Sequence, residues 1–346
     1  PPPPTLPPRP GGGGGRARPP RPPYRARSAE ADRRIRSLRR PREESLDFWQ
    51  PQDVVVERER RLTSSGSRLE TSATVFLTGA ECGFTCVFCD LWQYTRTERT
   101  PVGAIPAQIE SALEQLSGRS FDRLKLYNAS NFFDARAVPV VDDAAILDVL
   151  EGCADVTVEC HPRLVGERCY RFAEALHGRL EVALGVETVH PEAHAQLNKG
   201  CSLDQTWSAA RALRDRGIAW RAFVLLGAPF LGAHEQVDWL RRSVDRVADE
   251  GAACVSLVPL RLGNGELERL ASRGELHPLN SDAMEKAFEE LVEDDRLVVQ
   301  LDPWDLEQHL SCAPCRSGRI ERIERMNRTG RRQPAVVCAD CGTGEA

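Results

Sequence analysis

The chain has 346 residues, 41% of them hydrophobic and 28% charged, with a formal net charge of −5. That balance is ordinary for a folded domain and excludes collagen-like or wholly disordered chains. No run approaches the roughly 18 apolar residues of a membrane span, and no apolar stretch with a small-residue cleavage site marks secretion. A cytoplasmic protein with no membrane partner is expected.

Residues 1–42 carry twelve arginines against Glu30 and Asp32, so the rest of the chain holds the acidic excess. Residues 1–44 open on Pro, Gly and Arg and read as disordered, with too few apolar side chains to offset ordering entropy. A basic arm of this kind suits RNA. Lys125, Lys199 and Lys286 are the only lysines, so the arginine bias equally fits a GC-rich coding sequence. Residues 45–69 read as a lead-in.

From about residue 70, apolar strands alternate with amphipathic helices. Strands are predicted at 74–79, 124–128, 155–160, 180–187, 219–227, 253–260 and 297–302. Helices are predicted at 106–117, 141–152, 165–177, 191–197, 204–216, 233–250 and 281–293. Such alternation predicts an α/β protein with a parallel sheet and helices outside. Over residues 70–305 it fits a partial (β/α)6 barrel, with a flat doubly wound sheet as the alternative. In a barrel, functional residues gather where the strands end.

Twelve cysteines are present, seven of them in two tight groups. Without a secretion signal, such clustering favours metal or redox chemistry over disulfides. Cys82, Cys86 and Cys89 follow the first strand with the spacing C-x3-C-x2-C. Thiolates are the usual ligands of iron–sulfur clusters, and three of them leave one iron of a [4Fe–4S] cluster without a protein ligand. A zinc site would want a fourth ligand nearby, and none lies close in sequence.

This loop, set after the first strand of a β/α array, resembles the radical SAM superfamily over residues 70–305. The run VECHP, then LGVETVHPEAHAQLNKG, then LLGAPF is similar to its Elongator, methylthiotransferase and nitrogenase-maturase branch. KLYNASNFFD and the late cysteine pairs also resemble the radical SAM subunit of archaeosine synthesis. The resemblance implies an enzyme that holds S-adenosylmethionine on the open iron and cleaves it reductively to a 5′-deoxyadenosyl radical. An electron donor such as flavodoxin or ferredoxin is implied as partner.

It also implies cofactor contacts. Phe88 takes the place of an adenine-packing aromatic, and Asn128 to Asn131 the place of a Gly-rich stretch, here without glycine. Asn128, Ser130, Glu159, Glu187 and Arg221 become expected contacts to SAM or substrate, Arg221 to the SAM carboxylate. Rim salt bridges are the plain alternative for each. Cys160 is read as a buried apolar residue before a cavity-facing hydrogen donor. His161, His190 and His194 are read as capping or packing residues.

Residues 306–346 read as a small metal-binding lobe. Cys312 and Cys315 pair with Cys338 and Cys341 as two CxxC hooks, which suit zinc or an auxiliary [4Fe–4S] cluster. Between them, Arg316, Arg319, Arg322, Arg325, Arg328, Arg331 and Arg332 form a stripe suited to phosphate, or a face paired with Glu321 and Glu324. The family resemblance, together with this stripe, implies a modified nucleoside or tRNA as substrate. The alternatives are a small metabolite or peptide as substrate, and a non-enzymatic, zinc-stabilised RNA-binding protein.

Overall fold

The computed structural model describes residues 27–42, 46–63 and 66–342. Seven parallel strands run in chain order: β2 (Gly66–Phe76), β3 (Arg123–Tyr127), β4 (Asp155–Cys160), β5 (Arg179–Glu187), β6 (Ala219–Leu226), β7 (Cys254–Pro259) and β8 (Val298–Leu301). β1 (Asp53–Thr63) pairs antiparallel with β2 from Asp53↔Phe76 to Thr63↔Gly66. The eight-stranded sheet curls into a nearly closed barrel, and Gln300 on β8 reaches Glu59 on β1 at 3.3 Å across the seam. The barrel expected from the sequence is present, and the doubly wound alternative is not.

Each strand is apolar on the face turned to the helices. Val75, Leu124, Leu126, Val156, Val158, Val182, Leu184, Ala222, Val224 and Leu257 join one continuous core. The helices that cover it include α2 (Ala104–Gln115), α3 (Asp143–Val149), α4 (Glu167–Ala175), α6 (Leu203–Arg214), α7 (Gln236–Asp249) and α9 (Ser281–Leu291), while α5 (Pro191–Gln196) and α8 (Glu266–Ser272) pack in a second, smaller cluster.

Among the alternate residues, which point inward, several are charged. Lys125 Nζ lies 2.8 Å from Glu59, Arg61 Nη1 lies 2.7 Å from Glu181, and Arg221 binds both Glu181 and Glu59. Burial alone would raise the Glu59 carboxyl, but Lys125, Arg221 and Arg61 hold it well below its ordinary value. A closed set of paired charges avoids the large penalty of an isolated buried ion. This network fills the barrel behind the rim.

Three segments differ from the expected boundaries. The lead-in is β1 and the start of β2, so it belongs to the barrel. Residues 1–26 and 43–45 lie outside the described residues, but 29–38 form α1 (Ala29–Leu38), not a disordered arm. Ser28 caps it, accepting from Ala31 N at 3.3 Å, and Ile35 is buried against Val87, Leu267 and Leu270. The C-terminal residues carry α10 (Leu306–His309) and α11 (Ala313–Thr329), and Leu306, Ile323 and Met326 complete the main core rather than a core of their own.

Candidate active site

The cysteine loop leaves β2 at the rim formed by the C-terminal ends of the strands. Gln108 of α2 braces its start, accepting from Thr78 N at 2.7 Å and donating to Thr78 O at 3.0 Å. Farther along, Val87 N donates to Leu197 O at 2.9 Å, and Asn264 donates to Val87 O at 2.7 Å. α1 adds a third clamp. Asp32 accepts from Thr85 Oγ1 and, at 2.8 Å, from Asn198 Nδ2, which also donates to Thr85 O at 2.9 Å. Arg261 pairs with Asp90 at 3.2 Å, and Arg39 and Arg42 grip Glu81 at 2.6 Å each.

The three sulfurs sit in this frame. Cys82 Sγ accepts from Asn131 Nδ2 at 3.1 Å and from Phe84 N at 3.4 Å. Burial pushes the Cys82, Cys86 and Cys89 thiols up, Cys89 to about 12, with the Asp90 charge adding to burial there. The Lys199 ammonium works against burial at Cys86. Such sulfurs shed their protons to a metal rather than to water, since a coordinating thiol is deprotonated outright. Amide donors aimed at Cys82 suit a thiolate, so this donor set fits an iron–sulfur cluster held by three protein ligands.

Beside it lies the loop after β3. Asn128 is fully buried, yet its Nδ2 and Oδ1 have no partner, and neither does Ser130 Oγ. A buried polar atom left unpaired costs about 1–3 kcal/mol, so three together beside the cysteine loop call for a partner that the described residues do not supply. Asn128 and Ser130 were both expected contacts. Glu159 at the end of β4 has another task. Its carboxylate accepts from Asn128 N at 2.5 Å and from the Ala129 and Ser130 N–H groups, which fixes the loop with Ala129 at φ +51°. Burial raises the Glu159 carboxyl to about 7, and those N–H bonds oppose the rise.

Glu187 ends β5 at φ +67° and pairs with Lys199 at 2.7 Å, both nearly inaccessible. Gly185 makes room for that pair, since a Cβ there would lie 2.1 Å from Glu187 Oε1 and 2.6 Å from Lys199 Nζ. His161 stacks on Phe84 with ring centroids 3.8 Å apart, and its Nε2 lies 3.0 Å from Lys199 O. Burial, then the Lys199 and Arg163 charges, push its imidazole far down, so it stays neutral. Phe88 is half-buried and packs against the apolar cluster of Ile35 and Val87.

Other expected residues lie elsewhere. Arg221 is sealed in the barrel interior with Glu181 and Glu59, so its guanidinium serves the ion network and not a cofactor at the rim. Cys160 joins the core because Glu159, one residue earlier, takes the inward position. His161 and His190 cap helical turns, accepting from Arg163 N at 3.2 Å and Ala193 N at 3.0 Å, as expected.

Five of the seven arginines in the stripe lie on α11 and already hold partners there. Arg319 binds Glu285 and Asp282, Arg322 binds Glu285 and Glu289, and Arg316 binds Leu310 O at 2.7 Å. Arg325 and Arg328 pair with Glu321 and Glu324. The four C-terminal cysteines do converge, all sulfurs lying within 4.8 Å of one another. Asn131 was read as the end of the NASN stretch, whereas sequence reasoning missed Lys199, Asn198 and Asp32, which act through distant segments.

No family model matches the chain. It is 23% identical over 259 residues to archaeosine synthase subunit beta of Methanosarcina acetivorans, covering 72% of each chain. It is 21% identical over 209 residues to an uncharacterized protein of Methanocaldococcus jannaschii, and spans 57% of that relative's length. Among solved structures, coproporphyrinogen III oxidase from Escherichia coli, described as a radical SAM enzyme, overlaps 64% of this chain and 51% of its own. The identity is 14% and the TM-score 0.43.

The chain resembles radical SAM enzymes. The likeness to archaeosine synthesis read from KLYNASNFFD and the late cysteine pairs is met again in the sequence match to archaeosine synthase subunit beta. For a radical SAM enzyme the cofactors are SAM and a [4Fe–4S] cluster, and a reductant is needed. Among the described residues, no helix is long and apolar enough to cross a membrane.

Proposed function

We propose that this chain is a cytoplasmic radical SAM enzyme, with Cys82, Cys86 and Cys89 as the cluster ligands. One observation carries the reading: three buried, unpartnered polar atoms on Asn128 and Ser130 lie on the loop whose Asn131 touches Cys82. The bound group would supply one-electron cleavage of the SAM sulfonium bond and a carbon radical able to take a hydrogen atom. The chain's own residues bind, orient and shield it. Asn131 dresses one sulfur, Lys199 places a positive charge near another, and Glu159 fixes the Asn128 loop. Phe88 and Glu187 remain proposed cofactor neighbours.

The substrate we infer is a nucleoside in RNA, tRNA above all. The likeness to an archaeosine synthase subunit supports it. So does the surface beside the cysteine loop, where the exposed Arg36 and Arg40 border a hollow of about 400 Å³ with Trp92 and the ion-paired Arg39, Arg42 and Glu81. A flavodoxin or ferredoxin is the proposed electron source.

Anaerobic reconstitution with iron and sulfide tests the reaction. The wild type, given SAM and a reductant, should form 5′-deoxyadenosine, and Cys86→Ser should form none. Product from Cys86→Ser overturns the ligand assignment. Asn128→Leu should keep its iron but bind SAM more weakly. For the substrate, tRNA binding should weaken steeply between about 50 and 200 mM salt, and absence of binding removes RNA from the reading.

A further inference from the structure

The C-terminal cysteines hold more information than their spacing. Cys312 sits at the N-cap of α11 and Cys315 in its first turn, while Cys338 and Cys341 return on the segment that follows the helix. Cys312 Sγ lies 3.8 Å from Cys338 Sγ, and Cys315 Sγ lies 3.7 Å from Cys341 Sγ. These distances are far too long for disulfides, in which the sulfurs are about 2 Å apart.

They match a single ion. Zinc–sulfur bonds of about 2.3 Å in a tetrahedron place the sulfurs about 3.8 Å apart. A four-iron cube holds its cysteine sulfurs about 6 Å apart, because each binds a different iron. All four sulfurs here fall within 4.8 Å of one another, which is too tight for a cube.

The geometry points to a mononuclear zinc site of four thiolates at Cys312, Cys315, Cys338 and Cys341, which latches the return segment and α11 over the barrel seam. Zinc is favoured over ferrous iron at equal geometry by its stronger binding to such ligands. The N-terminal end of α11 also favours the net negative charge of a four-thiolate site.

The latch has a visible load. Asn327 of α11 donates to Leu301 O at 2.7 Å and accepts from Leu301 N at 2.8 Å, pairing the helix with the last strand. Arg322 donates to Pro334 O at 2.8 Å and Gln333 O at 2.8 Å, which draws the return segment back along the helix. A Cβ on Gly330 would meet Arg60 of β1 at 2.2 Å, so α11 ends directly against the first strand. The inference is independent of the proposed reaction.

The test uses the full chain. A Cys82→Ser, Cys86→Ser, Cys89→Ser variant should retain about one zinc per chain by elemental analysis. Cys338→Ser with Cys341→Ser should lose that zinc and become more readily cleaved by protease between residues 331 and 342. Should that variant fail to fold, mercurial titration of the loop variant with a colorimetric chelator should release zinc as four thiols react. Cobalt in place of zinc should give the absorption bands of a tetrahedral thiolate site. Iron with sulfide in the loop variant overturns the inference, and so does zinc that survives loss of Cys338 and Cys341. A loop variant without metal does the same.

Discussion

Asn131 donates its side-chain N–H to the Cys82 sulfur at 3.1 Å, while its side-chain oxygen accepts from His161 N at 2.6 Å. One amide therefore ties the cysteine loop to the end of β4. Hydrogen bonds to ligating sulfurs favour the more negatively charged, reduced state of a cluster. Asn131→Ala should shift the cluster's reduction potential to a more negative value and slow SAM cleavage by about 10–100-fold. Potentiometry of the reconstituted protein checks this, and an unchanged potential would show that the contact does not tune the metal.

The Glu187–Lys199 pair should be unforgiving. Both partners are nearly inaccessible, so Lys199→Met leaves a lone buried carboxylate and should cost about 3–5 kcal/mol in unfolding free energy. Adding Glu187→Gln should recover part of that loss. Gly185→Ala should resemble Lys199→Met, because the new methyl would stand where the pair meets. Urea unfolding of the wild type, these three variants and Glu187→Gln alone is the measurement, and full additivity of the two charge changes would argue against coupling.

Glu159 predicts a pH signature. Its carboxyl is raised to about 7 by burial, against an ordinary 4.5. The native state therefore holds this proton more tightly than the unfolded chain does. The resulting stabilisation is complete below about pH 4.5 and is lost as pH rises through about 7. Glu159→Gln cannot ionise, so the stability difference should move in the variant's favour across that window and level off above it. A flat difference between pH 4.5 and 8 would show that the N–H bonds from Asn128, Ala129 and Ser130 outweigh burial.

Asp32 predicts an effect on the metal loop from outside the barrel. Burial would raise its carboxyl, but bonds from Thr85 and Asn198 and the Arg27 charge hold it below its ordinary value. Asp32→Ala should hasten loss of cluster iron in air, with far-UV circular dichroism unchanged. Iron release followed with a chelator reads the difference.

Much of this architecture was legible. The strands after residue 70 declared themselves because their helix-facing residues are Val, Leu and Ala. β1 did not, since Glu57, Glu59 and Arg61 alternate along it and charged residues argue against a buried strand. Only their pairing with Lys125, Glu181 and Arg221 makes that alternation affordable, and those partners come from β3, β5 and β6. α1 was hidden by the Pro- and Gly-rich residues before it. The proposed cysteine ligands stand out by spacing alone, whereas Lys199 and Asn198 meet the cysteine loop only in three dimensions.

The grip of α1 on Thr85 and Asn198 has a practical corollary for anyone trimming this protein. Shortening the gene to the first barrel strand would preserve the β/α shell yet leave the cysteine loop unbuttoned. Such a product would fold, stay colourless after reconstitution, and pass for a catalytically dead relative. Its missing ingredient would be a ten-residue clasp that composition alone marks as expendable.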